Sequence, residues 1–308
     1  MKHRASFIRR SGRLVADPSE DQVGRSRRTR RWAFIGSGII LALATVGGFL
    51  TVTATTPRPI PAATLSPVAV PEYTPPPPPT EPAVPANLVT DTVSGQRVFL
   101  RPATSGTIGI AYLLPDAGDD ASTLLVGALA DALNDAGLAI ATGDLGGTSW
   151  GSPTSTTSLS ELRAWAEPQV GDVPVLYFGV GMGATTAVTA LSREPDVPVA
   201  CTYAVAPVTD LATLATADPR VRQQIATGWG RIPDAAENPS LLIPGLPTDT
   251  VYRVIVPAAP EARVTDANAF VSGLQESGHT VTSLTASADA SIASLSRDIL
   301  VFGQECLS

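Results

Sequence analysis

The sequence has few of the side chains that usually carry out chemistry. Its 308 residues include two histidines and two cysteines, and Lys2 is its only lysine. A Walker-type phosphate loop needs a lysine beside its serine or threonine, so that motif is excluded. Two cysteines and two histidines without ligand spacing exclude a zinc cluster. Aromatic residues are also few, at 5%.

Positive charge is scarce outside the first 31 residues. Ten of the 21 basic residues lie there, against three acids. The remaining 11 basic residues face 25 acids, a balance that argues against nucleic acid as a partner. Charge of either sign is absent between Arg31 and Arg58. Within that gap, residues 32–54 form an apolar stretch long enough to span a hydrocarbon core of about 30 Å. Trp32 stands at one end as an interfacial anchor would, and the basic cluster precedes it. The positive-inside rule then predicts a disordered cytoplasmic tail over 1–31, a single transmembrane helix over 32–54 and an exported remainder. A cleaved signal peptide is the competing reading, but its charged leader and apolar core would both be too long. The membrane is therefore an expected partner through residues 32–54.

Residues 57–85 hold 12 prolines, which exclude helix and sheet by fixing φ and removing backbone donors. An extended linker is predicted over 55–86, with a reach of roughly 90 Å at most.

From 87 to 308 strand and helix patterns alternate. "LVTDTV" and "QRVFLRPA" read as strands flanking a Ser94-Gly95 turn. The apolar run 107–115 reads as a strand covered on both faces. Helical spacing runs over 122–137 and ends at Gly137. After a strand at 138–145, a helix is predicted over 158–168, opened by a Ser158–Glu161 capping box and stopped at Pro168. "VPVLYFGV" reads as a strand and "ATTAVTALSREP" as a helix. Strands at 197–208 and 251–259, a helix at 266–278, and a final strand and helix follow. Residues 209–250 are not divided into elements by this pattern. The order predicts an α/β domain with a mostly parallel sheet and helices on both faces. Its working crevice should lie at the carboxyl ends of the strands. Four loops should meet there: 115–120, 143–153, the turn at 179–183, and 257–263.

Three stretches carry a family resemblance: "YLLPDAGDDASTLLVGALADALNDAGLAIATGDLGG", "FGVGMGATTAVTAL" and "YAVAPVTDLATL". They resemble the α/β-hydrolase superfamily, in particular its bacterial esterase-like members, over most of 88–308. The resemblance implies a nucleophile elbow at Gly179-Val180-Gly181-Met182-Gly183. Gly181 stands where the family has serine. Pro115-Asp116 stand where the family has His-Gly beside the oxyanion hole, and a carboxylate there opposes a developing oxyanion. Glu261 is the one acid near the family's acid position. Residues 286–294 contain no histidine, and His279 reads as a surface turn residue at the far end of the sheet.

Triad chemistry needs nucleophile, base and orienting acid together, so no catalytic residue is expected. The leading expectation is a non-catalytic module at the cell envelope that binds a small ligand or an envelope protein. The rim candidates for contact are Asp116, Ala117, Trp150, Gly181 and Met182. The alternative is an esterase-type hydrolase using displaced acids, Asp116 or Glu261. A third reading is a structural protein whose crevice is filled.

Gly179-x-Gly181-x-x-Ala184 also fits a loose dinucleotide fingerprint, but the next strand ends without the acid that would hold a ribose, so no cofactor is expected. No metal is expected either, the acids of loop 115–120 being read as solvated surface. Cys201 and Cys306 could bridge or stay apart; Cys201 also reads as a small buried residue.

Overall fold

The computed structural model describes residues 85–287 and 292–308. The expected tail, the span at 32–54 and nearly all of the linker lie outside those residues. Among the described residues, no helix is long and apolar enough to cross a membrane.

The described domain is built on one eight-stranded sheet in the order β1-β2-β4-β3-β5-β6-β7-β8. Strands β1 (Val89–Val93) and β2 (Gln96–Arg101) form the predicted hairpin. Ser94 and Gly95 both have positive φ, 50° and 85°, as a turn matched to strand twist requires. The other six strands run parallel to their neighbours, and β2 meets β4 antiparallel. They are β3 (Gly109–Leu114), β4 (Leu138–Gly143), β5 (Val175–Val180), β6 (Cys201–Val205), β7 (Val251–Val256) and β8 (Val281–Thr285). Every residue of β3 and β4 is buried, the expected result for strands covered on both sides.

Helices α2 (Pro153–Val170), α3 (Met182–Arg193) and α6 (Glu261–Glu276) cover one face. Leu162, Val188 and Phe270 pack there with Tyr112, Tyr177 and Val254. Helices α1 (Ala128–Asp135) and α7 (Ile292–Cys306) cover the other, where Leu133, Ile299 and Phe302 meet Leu113, Phe178 and Tyr203.

Several boundaries differ from the sequence reading, each for a local reason. The helix expected over 122–137 is split into a 3-10 turn at Ala121–Leu125 and α1. Gly127, with φ 92°, breaks it, and Asp120 caps the first piece. Helix α2 starts at Pro153, not Ser158, because Ser152 supplies the cap and Pro153 pre-sets the first turn. Ser158 is buried inside the helix, and Pro168 sits in its last turn without ending it. Helix α6 starts at Glu261, five residues earlier than predicted. His279 is buried, not on a surface turn: its Nε2 lies 3.1 Å from the Ile243 carbonyl, and its ring meets Tyr252 edge-on. It does lie at the amino end of the sheet, just before β8.

The unassigned stretch after β6 contains two short helices, α4 (Leu211–Ala217) and α5 (Pro219–Trp229). They pack over the carboxyl end of the sheet and decide what happens to the crevice.

Cys201, the first residue of β6, is disulfide-bonded to Cys306 at the end of α7, with a Cα–Cα distance of 6.1 Å.

Candidate functional site

The turn between β5 and α3 has the strand–elbow–helix geometry that the glycine frame implies. Gly181 has φ 49° and ψ −108°, a conformation that only glycine adopts without strain. Its N–H donates to the Val205 carbonyl at 2.9 Å, and its carbonyl accepts from Thr185 N at 3.1 Å. The flanking glycines are required by contact. A Cβ on Gly179 would strike the backbone of Gly183 and Ala184, and one on Gly183 would strike the carbonyls of Leu114 and Pro115. Gly183→Ala is expected to cost about 2–3 kcal/mol by overpacking, read as a lower denaturation midpoint.

Asp116 defines the chemistry of this site. Its Oδ1 accepts from Met182 N at 2.8 Å and from Ala117 N at 2.8 Å. Met182 follows the serine position, and Ala117 lies on the loop after β3. Those are the two backbone donors that an α/β-hydrolase site offers to a developing oxyanion. Both converge here on a resident carboxylate oxygen. The sequence reading placed Asp116 beside the family's oxyanion position; in the structure its carboxylate accepts from both corresponding backbone donors. The same carboxylate fills the space that a side chain on Gly181 would need, since a Cβ built there collides with Asp116.

The remaining rim candidates form a closed apolar layer. Trp150 and Met182 are each 2% exposed, so neither is an exposed contact for a ligand. They cluster with Val208, Leu211 and Ile225, the last two from α4 and α5, and Ala117 packs against the edge. Trp150 Nε1 donates to Gln224 Oε1 at 3.3 Å, and the Trp150 carbonyl accepts from Trp229 Nε1 at 3.0 Å. Trp150 therefore plugs the region over the elbow rather than standing on the rim as an exposed contact.

Glu261 is not brought to the elbow. It is exposed in the first turn of α6 and lines a separate cavity of about 530 Å³ with Asp210, Thr213, Arg263 and Asp266. Burial raises the Asp266 carboxyl above its usual range, against hydrogen bonds from Thr209 and Asp210. Burial also holds the Arg263 guanidinium below the usual arginine value, against the charges of Asp116 and Asp266. A larger cavity, about 940 Å³, lies far from the elbow, by the amino ends of β5 and β6. Its Arg163 is ion-paired to Glu167. Among the described residues, no three His, Cys, Asp or Glu side chains are grouped to hold a metal ion.

No family model matches the chain, and no curated protein does either. Solved structures do. A carboxyl esterase from Bacillus coagulans is 12% identical over 72% of this chain and 98% of its own, with a TM-score of 0.53. An esterase of the bacterial hormone-sensitive lipase family is 18% identical over 73% of this chain and 87% of its own, with a TM-score of 0.57. Est1E from Butyrivibrio proteoclasticus is 12% identical over 71% of this chain and 98% of its own, with a TM-score of 0.54. At such identities the likeness speaks to architecture alone, and it agrees with the strand order and the elbow: the described domain has the α/β-hydrolase fold.

Proposed function

We propose that this protein is a non-catalytic α/β-hydrolase-fold module, anchored in a membrane through residues 32–54 and displayed on its outer side, where it binds a ligand or protein partner. One observation carries the reading: the Asp116 carboxylate accepts from both donors that would otherwise stabilise an oxyanion. Catalysis of acyl transfer requires those donors to be free for charge that develops in the transition state. Gly181 offers no nucleophile, and the space for one is filled. Export is supported independently by the Cys201–Cys306 disulfide, since such bonds persist mainly in oxidising compartments.

The second reading, an active hydrolase with displaced residues, draws on the esterases that share the fold. The two readings separate in one assay. The purified 308-residue chain is offered a panel of short-chain nitrophenyl esters and a fluorophosphonate probe. The expected result is no turnover above buffer and no labelling. Turnover that survives purification and falls in Asp116→Ala or Glu261→Ala would establish the hydrolase instead.

A further inference from the structure

The carboxyl end of the sheet has a second concave region, apart from the plugged elbow. A cavity of about 400 Å³ opens where β6 and β7 end. Its walls are largely apolar, with Leu214, Val221, Pro257 and Pro260 among them. That volume falls in the range of roughly 300–1,000 Å³ typical of small-molecule pockets.

Two charged side chains line it, Asp218 and Arg263. Asp218 is committed, because it caps α5 by accepting from Arg220 N at 2.8 Å. Arg263 is not. It is half-buried, and its guanidinium makes one hydrogen bond, from Nη2 to the Ala206 carbonyl at 3.1 Å. Among the described residues no carboxylate stands within ion-pair distance of it. A guanidinium has five N–H donors, so most remain available. Ala206, which holds it, has φ 47°, a left-handed backbone rare for a residue with a side chain and often found at binding sites.

Arg263 also borders the 530 Å³ cavity, which shares Leu214 and Ala262 with the first. The surrounding acids act on its charge from a distance, Asp116 and Asp266 among them, but among the described residues none is ion-paired to it. Asp266 accepts from Thr209 N, Thr209 Oγ1 and Asp210 N. Asp210 accepts from Thr213 and Asn238. Among the described residues Glu261 makes no hydrogen bond or ion pair, and it adds a negative charge to the approach, which disfavours a ligand with more than one anionic group.

A half-desolvated guanidinium with spare donors, set in an apolar cavity, matches a carboxylate in shape and charge. We propose that Arg263 anchors the carboxylate of a small apolar monocarboxylate, whose hydrocarbon part occupies the 400 Å³ cavity at the ends of β6 and β7. This names a ligand class for the binding-module reading and rests on that reading.

The test is calorimetric titration of the purified 308-residue chain with benzoate, with benzyl alcohol as the uncharged match and phthalate as the dianion. Saturable benzoate binding is expected, with benzyl alcohol and phthalate each at least tenfold weaker. Arg263→Gln should weaken benzoate at least tenfold, and Arg263→Lys should fall between. Val221→Trp, which fills the cavity and leaves Arg263 in place, should also abolish binding, so the test survives if Arg263→Gln fails to fold. No saturable benzoate binding, equal binding of benzyl alcohol, or benzoate binding unchanged in Arg263→Gln or Val221→Trp would each overturn the assignment. Ester turnover measured on the same preparation separates the two claims. Without turnover, a failed titration sinks only the carboxylate site; with turnover, the non-catalytic reading fails whatever the titration gives.

Discussion

Replacing Cys201 and Cys306 together by alanine is expected to lower the stability of the α/β domain by about 3–5 kcal/mol. The bridge joins residues 105 apart in sequence, and in the chain-entropy view a loop of about 100 residues is constrained by roughly 4.7 kcal/mol. It ties the last helix to an interior strand of the sheet, since β6 lies between β5 and β7. Helix α7 has other holds. Tyr203 Oη donates to Asp298 at 2.8 Å, Arg253 pairs with Asp298 at 3.7 Å, and Phe302 meets the Tyr203 ring at 5.7 Å between centroids. The variant should therefore fold but lose its last helix first. Denaturant titration followed by tryptophan fluorescence measures the loss, and amide exchange of residues 292–306 locates it. An unchanged midpoint, with and without reductant, would show that the bridge does not constrain the fold. It would also remove the support the bridge lends to an exported location.

Placing a serine at position 181, where α/β-hydrolases carry their nucleophile, should damage the protein. Gly181→Ser places a side chain on a backbone with φ 49° and ψ −108°, in space occupied by the Asp116 carboxylate. Strain at such a position is worth about 1–3 kcal/mol and overpacking about 1–3 more. A cost of roughly 2–6 kcal/mol is therefore expected, with no gain of ester turnover. Among the described residues the serine would have no histidine within reach, since His279 lies at the amino end of the sheet, and the two backbone donors are taken by Asp116. In an Asp116→Ala background the collision disappears and the backbone strain stays, so the same substitution should cost about 1–3 kcal/mol. Turnover in Gly181→Ser alone would mean that Asp116 leaves the donors easily and that the hole is open to an oxyanion after all.

Much of this architecture was legible because its signals are local. The Ser94-Gly95 hairpin, the buried runs of β3 and β4 and the glycine frame of the elbow each rest on a few adjacent residues. The α4–α5 region was missed although its caps are written plainly: Asp210 bonds to Thr213, and Asp218 precedes Pro219. Its helices are short, and small or polar residues fill much of "LATLATA" and "PRVRQQIATGW", so the apolar period is thin. The burial of His279 depends on the Ile243 carbonyl, 36 residues away, which no local pattern encodes. Asp116 falls between these cases. Its position near the oxyanion donors followed from the resemblance. That its carboxylate accepts from both depends on how the loop after β3 meets the start of α3, a geometry set by the packing of Gly183 against Leu114. Trp150 shows the same limit, since whether it pointed outward or inward depended on α5, 74 residues along.

The most direct test of the central claim is a double-mutant cycle between Gly181 and Asp116, built from Gly181→Ala, Asp116→Ala and the pair, with stability read by denaturant titration. If the Asp116 carboxylate occupies the oxyanion donors against Gly181, the two changes are strongly non-additive. The double variant should then be more stable than the sum of the singles predicts, by about 1–3 kcal/mol. Additive costs, to within about 0.5 kcal/mol, would mean that the carboxylate does not sit there and that the donors are free for catalysis.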